Sequence, residues 1–246
     1  MIKFFRNIRQ SLLMENKTSK YLKYAVGEIV LVVIGILIAL QINNWNSIQK
    51  DKQMEKQYLE NFLAEMRLDS VFMNGFATNT LPKKIAALQL ARQYAKYQIE
   101  VTDTTAFMGQ MGFGGILSRT SMFENTSTYN DMISTGNLRL IKEEKIRNRI
   151  LYYYTYVFNT KTYTNNLRTE YASYVNSINP YDPKGNFIPD AKDIKRAFQL
   201  MKSDEFLGLT NNELTFAYSL KNRFDRQNTV LIEALDLIKS ELKKMN

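Results

Sequence analysis

The chain has 246 residues, of which 45% are hydrophobic and 23% charged, a composition typical of one sizeable folded domain or two small ones. It contains no cysteine and no histidine. These absences exclude disulfides, thiolate nucleophiles and the Ser-His-Asp arrangement, and they remove the commonest transition-metal ligand. We therefore expect a non-enzymatic protein without catalytic residues, cofactor or bound metal.

The net charge of +9 is unevenly distributed. Residues 1–45 hold six basic residues, the last of which is Lys23, against Glu15 and Glu28. That segment carries +4, which leaves +5 for a long remainder rich in carboxylates. Such an excess is typical of a solvated surface, so no nucleic-acid partner is predicted.

Residues 1–23 are predicted to form a basic cytoplasmic segment. Apolar residues near helical spacing alternate there with polar ones: Ile2, Phe5, Ile8, Leu12 and Leu13 with Lys3, Arg6, Arg9 and Gln10 between them. The pattern predicts a cationic amphipathic helix on the anionic cytoplasmic leaflet, and the alternative is a basic tail that only sets topology.

Residues 24–45 are predicted to cross a membrane. Residues 29–40 lack any polar side chain, and the extended apolar stretch matches the thickness of a bilayer. Tyr24 and Trp45 lie where aromatic side chains favour the interface. All basic residues of the segment precede the span, so the positive-inside rule places the amino terminus in the cytoplasm and residues 46–246 across the inner membrane, in the periplasm.

A cleaved secretory signal is the competing interpretation of this segment. The residues after Ala39 contain no pair of small residues spaced for cleavage, so an uncleaved signal anchor is favoured. Gly27, Gly35 and Ala39 lie along one face of the predicted helix, with Glu28 close by, and small residues permit close contact between membrane helices. These four residues are the predicted membrane-helix contact, with a second copy or another membrane protein as partner. Glu28 is either functional there or interfacial among the headgroups.

The segment from Lys20 to Asn46, KYLKYAVGEIVLVVIGILIALQINNWN, with FRNIR upstream at residues 5–9, closely resembles the start of an uncharacterised family of single-pass membrane proteins from the Bacteroidetes. The Ser134-Thr-Gly-Asn-Leu138 sequence, followed by a helix ending in tyrosines, resembles a second recurring block. The resemblance implies a helical protein of the bacterial envelope and supplies no activity or ligand.

Beyond the span, helical periodicity predicts an all-α fold in which the membrane helix continues into a stalk, followed by an antiparallel helical bundle. Leu59, Phe62, Leu63, Met66 and Phe72 mark the stalk, and a further helix follows Pro82. Residues 99–105 are β-branched and compatible with an extended segment, and Asp103 is a candidate cap for a short helix. Gly109, Gly112, Gly114 and Gly115 are interpreted as an irregular loop.

Four helices are predicted in the second half of the bundle. Residues 121–134 end at Gly136, and a long helix covers residues 146–178 before the turn residues 179–186. A short helix follows Asp190, and Thr210 and Glu213 have the spacing of a capping box that begins the last helix. Its apolar face is Leu214, Ala217, Leu220, Phe224, Leu231, Leu235, Ile238 and Leu242.

Two sets of polar residues were candidates for sites. Seven tyrosines between Tyr152 and Tyr174 are interleaved with basic residues, but on a helix they point in several directions, so we expect part of them in the core and part at the surface. The acidic pairs Glu143–Glu144 and Asp204–Glu205 are expected to be helix-terminus charges.

The sequence therefore indicates a membrane-anchored helical envelope protein, acting as a protein-interaction or scaffold module in contact with the bilayer. The alternative is an extracytoplasmic ligand-sensing domain that signals through a partner, because only a short segment precedes the span. An enzyme acting on envelope polymers is a third interpretation.

Overall fold

The computed structural model describes residues 18–115, 125–166, 170–178 and 190–245, and within these ranges the regular elements are helices. The amphipathic helix expected in residues 1–23 lies almost wholly outside them, as do the turn residues 179–186. The chain divides into two compact units, residues 1–55 and residues 56–246. The fold is all-α, with one long apolar amino-terminal helix followed by a helical region, as the periodicity predicts.

The first helix, α1, covers Thr18–Gly75, and it includes both the predicted span and the predicted stalk. The helical backbone continues beyond the end of α1 to Pro82 and past it. A π-helical turn, Phe76–Thr80, connects it to α2, Leu81–Ala95, whose first turn contains that proline. Proline is tolerated there because the first turn of a helix leaves its N–H groups without intrahelical acceptors.

Shorter helices follow: α3, Thr104–Gly114; α4, Ser127–Ser134; a 3₁₀ turn, Asn137–Leu140; α5, Glu144–Asn166; α6, Glu170–Ile178; and α7, Ala191–Leu200. The last helix, α8, covers Asp204–Met245. The long helix predicted over residues 146–178 corresponds to α5 and α6, with residues 167–169 outside the described ranges. Of the helix predicted over residues 121–134, the structure describes α4.

The core of residues 56–246 lies between α8 and the helices on either side of it. Helix α8 runs antiparallel to α2: the rings of Phe76 and Phe224 are 4.9 Å apart, and toward the other end Arg92 Nε donates to Asn211 Oδ1 over 2.9 Å. It also runs antiparallel to α5, through Arg149–Glu233 and Tyr163–Phe216. The whole predicted apolar face of α8 is buried, which confirms the bundle.

One predicted cap and one predicted helix start are confirmed. The Asp103 side chain accepts a hydrogen bond from Ala106 N, as predicted. The short helix predicted after Asp190 is α7, and the Asp190 side chain accepts a hydrogen bond from Asp193 N at its start. Gly136 has φ 69°, the left-handed conformation in which glycine follows a helix end at little cost. The acidic pairs also occupy first helical turns, at Glu144 and at Asp204 and Glu205.

The predicted glycine loop was wrong. Gly109, Gly112 and Gly114 belong to α3. A Cβ on Gly114 would lie 3.0 Å from Leu88 Cδ2, and one on Gly115 would lie 3.0 Å from the Ala172 Cβ, so these two glycines permit close helix packing. A Cβ on Gly109 or Gly112 would meet nothing within 4 Å, so close packing explains only the last two of the four glycines.

The predicted start of the last helix was also wrong. Helix α8 begins at Asp204, and the hydroxyl of Ser203 accepts a hydrogen bond from Phe206 N, so Ser203 performs the capping. Thr210 and Glu213 lie inside the helix and are buried. Their capping-box spacing is coincidental, because Glu213 instead pairs with a lysine of α2. Of the residues that mark the predicted stalk, Leu59, Phe62 and Met66 are buried, whereas Phe72 is exposed on α1.

Candidate functional site

The four residues of the predicted membrane-helix contact lie within α1. Gly27, Gly35 and Ala39 are exposed, and Glu28 is half-buried. At about 100° per residue the four occupy an arc of roughly 120° on the helix. A Cβ added to Gly27 or Gly35 would meet nothing within 4 Å, so this face of the span is open to another helix. The contact itself stays a prediction.

The helical run Leu22–Ala95 contains a stretch long and apolar enough to cross a membrane, and none of that stretch is buried in the protein. Its apolar side chains are roughly half exposed or more. A core helix of similar composition would be covered by its neighbours. The stretch is therefore a candidate membrane span, by length and composition.

A second candidate is the carboxylate–tyrosine network, formed by Glu65, Asp69, Asn125, Thr128, Tyr153 and Tyr154. Asp69 is buried, and its two carboxylate oxygens accept hydrogen bonds of 2.7 Å, one from Tyr153 OH and one from Asn125 Nδ2. One turn earlier on α1, Glu65 Oε1 accepts from the backbone N and the hydroxyl of Thr128. The network thus joins α1 to α5 and to the start of α4.

Burial dominates the electrostatics of this network. It raises the pKa of the Asp69 carboxyl, and the hydrogen bonds from Tyr153 and Asn125 act in the opposite direction. Burial also raises the pKa of Tyr153 and of Tyr154 far above the ordinary value, and the neighbouring Asp69 and Glu65 add to the shift. Both phenols therefore remain protonated donors, which suits fixed hydrogen bonds rather than proton transfer near neutral pH.

The recurring Ser134–Leu138 block contacts the same helix. Tyr58 OH donates to Asp131 Oδ2 over 2.7 Å and accepts from Asn137 Nδ2 over 2.9 Å. The left-handed Gly136 turns the chain between α4 and the 3₁₀ turn, which places Asn137 against Tyr58. The block that resembles a family feature is thus a structural connection to α1.

A buried ion pair joins α2 and α8. Lys84 and Glu213 are both fully buried, and they form a short contact. Lys84 Nζ also donates to the Gly114 carbonyl over 2.8 Å, at the carboxyl end of α3, where a cation is favourable. Burial lowers the pKa of Lys84, although Glu213 opposes this shift. The pair therefore holds three helices together.

The tyrosines divide between core and surface, as predicted: Tyr153, Tyr154 and Tyr171 are buried, and Tyr152 is exposed. No group of three or more acidic side chains converges as a metal site among the described residues. These arrangements are of the kind that stabilises a fold, and none brings a nucleophile to an open cleft.

The sequence analysis did not single out Asp69 or Lys84, and it interpreted Glu213 as a helix cap, although a signal for burial was present. Asp69 continues the buried face of α1, Leu59–Phe62–Met66, at helical spacing, and Lys84 continues that of α2, Leu81–Leu88–Ala91. A charged residue at a core position of an amphipathic pattern must find a partner, because an isolated buried charge is costly. The pattern indicates the burial, but the partner depends on the fold.

Comparison with known proteins gives one positive result. No curated protein and no solved structure matches the chain. A family model described as a family of unknown function, DUF6090, matches residues 28–195, more than half of the sequence. The match begins within the predicted span and includes the carboxylate–tyrosine network, Lys84 and the Ser134–Leu138 block. The chain therefore belongs to the DUF6090 family.

Proposed function

We propose that the protein is a single-pass membrane protein of the bacterial envelope, of the Bacteroidetes type that its sequence resembles. Its amino terminus lies in the cytoplasm, and residues 46–246 form a periplasmic helical domain. The domain acts as a protein-interaction or scaffold module, held at the inner membrane by residues 24–45.

One observation carries the proposal: apolar side chains from Leu22 to Ile48 are exposed around the whole circumference of a helix. An amphipathic helix of a water-soluble protein exposes a polar face, whereas a membrane helix is apolar all round. Exposing so many leucine, isoleucine and valine side chains to water is unfavourable, at about 25 cal/mol per Å². Lipid is the solvent that suits this surface.

The sequence after the apolar stretch supports an uncleaved anchor. The residues after Ala39 contain no pair of small residues spaced for signal cleavage. The charge distribution supports the orientation, because the basic residues before the span are retained on the cytoplasmic side.

A scaffold role agrees with the polar groups of residues 56–246. Asp69, Lys84 and Glu213 are committed to partners within the fold. Their hydrogen bonds and ion pair connect helices of the domain, so these buried polar groups have a structural role.

Membrane extraction tests the anchor. The full chain should remain in the membrane pellet after carbonate washing and dissolve in mild detergent. Leu37→Arg introduces a charge into the middle of the span and should reduce membrane retention several-fold. Ile48→Arg, at an exposed apolar residue beyond the span, is the matched control and should be retained like the wild type. Release of the wild-type chain by carbonate would refute the anchor.

The cysteine-free sequence permits a direct test of orientation. Ser19→Cys and Ser240→Cys place one thiol before the span and one near the carboxyl terminus. In spheroplasts, a membrane-impermeant maleimide should label Ser240→Cys and should label Ser19→Cys only after lysis. The reverse pattern would contradict the proposed topology, and recovery of a chain whose first residue lies near Gln41 would contradict the uncleaved anchor.

A further inference from the structure

Helix α1 carries an exposed, uncharged face within residues 56–75, which we call the outer face: Gln57, Asn61, Ala64, Leu68, Val71 and Gly75, all exposed. Its two large apolar side chains are Val71, 74% exposed, and Leu68, 59% exposed. The opposite side of the same helix, with Leu59, Phe62 and Met66, is fully buried in the bundle. The protein itself therefore covers one side of the helix and leaves Leu68 and Val71 uncovered on the other.

The outer face has heptad spacing. Its residues alternate in steps of four and three, so that Asn61, Leu68 and Gly75 take one seam position and Gln57, Ala64 and Val71 take the other. This spacing matches the seam of a coiled coil rather than a broad face packed in a globular core. The occupant that fits such a seam is a second helix with the same repeat.

The surface around the carboxyl-terminal part of the outer face is uncharged, whereas Glu60 and Arg67 are exposed beside its amino-terminal part. Every exposed residue from Leu68 to Asn79 is uncharged, because the only charged residue in that stretch, Asp69, points into the bundle. Exposed surface without charge is characteristic of the centre of an interface. Across the whole chain, by contrast, 23% of the residues are charged.

We infer that the outer face pairs with the same face of a second copy of this chain, in parallel, about a two-fold axis. An asparagine at a seam position favours a defined register in parallel pairs, at some cost in stability, and Asn61 occupies such a position. Gln57 Nε2 donates to Asn61 Oδ1 over 3.0 Å, which orients that amide on the face.

The flanking residues differ along the seam. In a parallel coiled coil, a residue on one flank of the seam meets the partner's residue five positions later on the other flank. By this rule Glu60 of one copy meets Glu65 of the other, an unfavourable approach of two carboxylates, although Glu65 Oε1 accepts hydrogen bonds from Thr128 within its own chain. One heptad later Arg67 meets Phe72, a cation against an aromatic ring, and the two-fold axis produces the contact twice. Phe72 is exposed for such a contact, and its ring stacks on Phe76 within its own chain.

The seam is short, about three heptads, so it would associate weakly between chains free in solution. Anchoring in one membrane fixes both copies in the same orientation and raises their effective concentration. The parallel orientation rests on the proposed function, because anchoring in one membrane imposes it. The heptad seam does not rest on it, since the seam is present whether or not the chain is anchored.

Disulfide cross-linking of the full chain tests the pairing, again in a cysteine-free background. Gln57→Cys, Leu68→Cys and Val71→Cys should each form covalent dimers on mild oxidation, at a yield several-fold above Ser240→Cys, which lies off the seam. In a parallel pair, residues 57 and 71 both meet their own counterparts. In an antiparallel pair only a residue near the crossing point does so.

A second variant separates loss of pairing from loss of folding. Val71→Lys places a charge on a side chain that is mostly exposed, so helicity and thermal stability should be unchanged while the Leu68→Cys cross-link falls several-fold. Ile232→Lys, on the exposed side of α8, should leave that cross-link unchanged. Cross-linking no greater than at Ser240 overturns the inference, as does dimerisation at only one of residues 57 and 71. The membrane extraction described above can fail independently of either result.

Discussion

Tyr153 and Asp69 are 84 residues apart in the sequence, and the phenol of the first donates a 2.7 Å hydrogen bond to the buried carboxylate of the second. The adjacent Tyr152 is exposed on the same helix. Two successive tyrosines therefore differ only in burial and partner, which makes them a matched pair for measuring the network.

Tyr153→Phe should lower the free energy of unfolding by about 1.5–3 kcal/mol, since it removes one of two donors from a buried carboxylate. Tyr152→Phe deletes the same hydroxyl at an exposed position and should change stability by less than about 0.5 kcal/mol. Thermal or urea unfolding followed by circular dichroism measures both. Equal effects of the two substitutions would contradict the structural role of the Tyr153–Asp69 hydrogen bond.

The buried pair of Lys84 and Glu213 permits a sharper comparison. Lys84→Met alone leaves the Glu213 carboxylate buried without its lysine, and it should cost about 3–5 kcal/mol. Replacing both residues by methionine removes both charges, so the double variant should recover much of that loss.

The control for this pair is Lys221→Met, which breaks the exposed Lys221–Asp225 pair of 2.7 Å and should cost less than about 1 kcal/mol. Chemical unfolding of the four proteins gives the comparison. A double variant as unstable as Lys84→Met would show that the lysine stem and its packing, rather than the charge, determine stability here.

Burial and helix ends are the features of this fold that the sequence predicts well. The apolar repeats of α8 and of α1 from Leu59 to Met66 predict burial correctly, because each repeat follows helical periodicity over several turns. The Asp103 cap and the left-handed Gly136 are predicted correctly because capping and left-handed turns depend on local residues.

The errors arise where distant contacts decide. Gly114 is a helical residue at which Leu88 and Tyr171, from two other helices, leave little room for a side chain. Thr210 and Glu213 have the spacing of a cap, but Glu213 forms an ion pair with Lys84 across the bundle. Likewise, no residue near Asp69 in the sequence identifies Tyr153 and Asn125 as its donors, so the carboxylate–tyrosine network can be recognised only once the fold is known.

The domain should lose stability at alkaline pH because its buried tyrosines must ionise. The folded-state pKa values of Tyr153, Tyr154 and Tyr171 are raised above the ordinary value of 10.0 mainly by burial. The folded state therefore retains protons that the unfolded state releases. Their contribution to stability is present below pH 10 and decreases as pH rises above it.

Spectrophotometric titration of tyrosinate measures this effect. Exposed phenols should ionise first, without loss of helicity, and the buried ones should ionise only together with the loss of helical circular dichroism. Tyr152→Phe, which removes an exposed phenol, should reduce the first phase, whereas Tyr171→Phe should reduce the second. Complete ionisation of all phenols in a protein that keeps its helicity would contradict the assigned burial.

The span residues give the last prediction. Gly35 has no side chain, and Ala39 lies one turn further along the same exposed face, so two backbones can approach closely there. Within the membrane, association depends on such packing, because lipid is as apolar as the helices. Gly35→Leu should therefore weaken association of the span by several-fold in a membrane two-hybrid assay. Val33→Leu adds bulk to roughly the opposite side of the helix and is the matched control.

Glu28→Gln should have a smaller effect than Gly35→Leu if the acid lies among headgroups, and a comparable one if it contributes to the contact. Equal signal for the wild type, Gly35→Leu and a scrambled apolar span would show that residues 24–45 only anchor the chain, and would leave pairing to the outer face of α1.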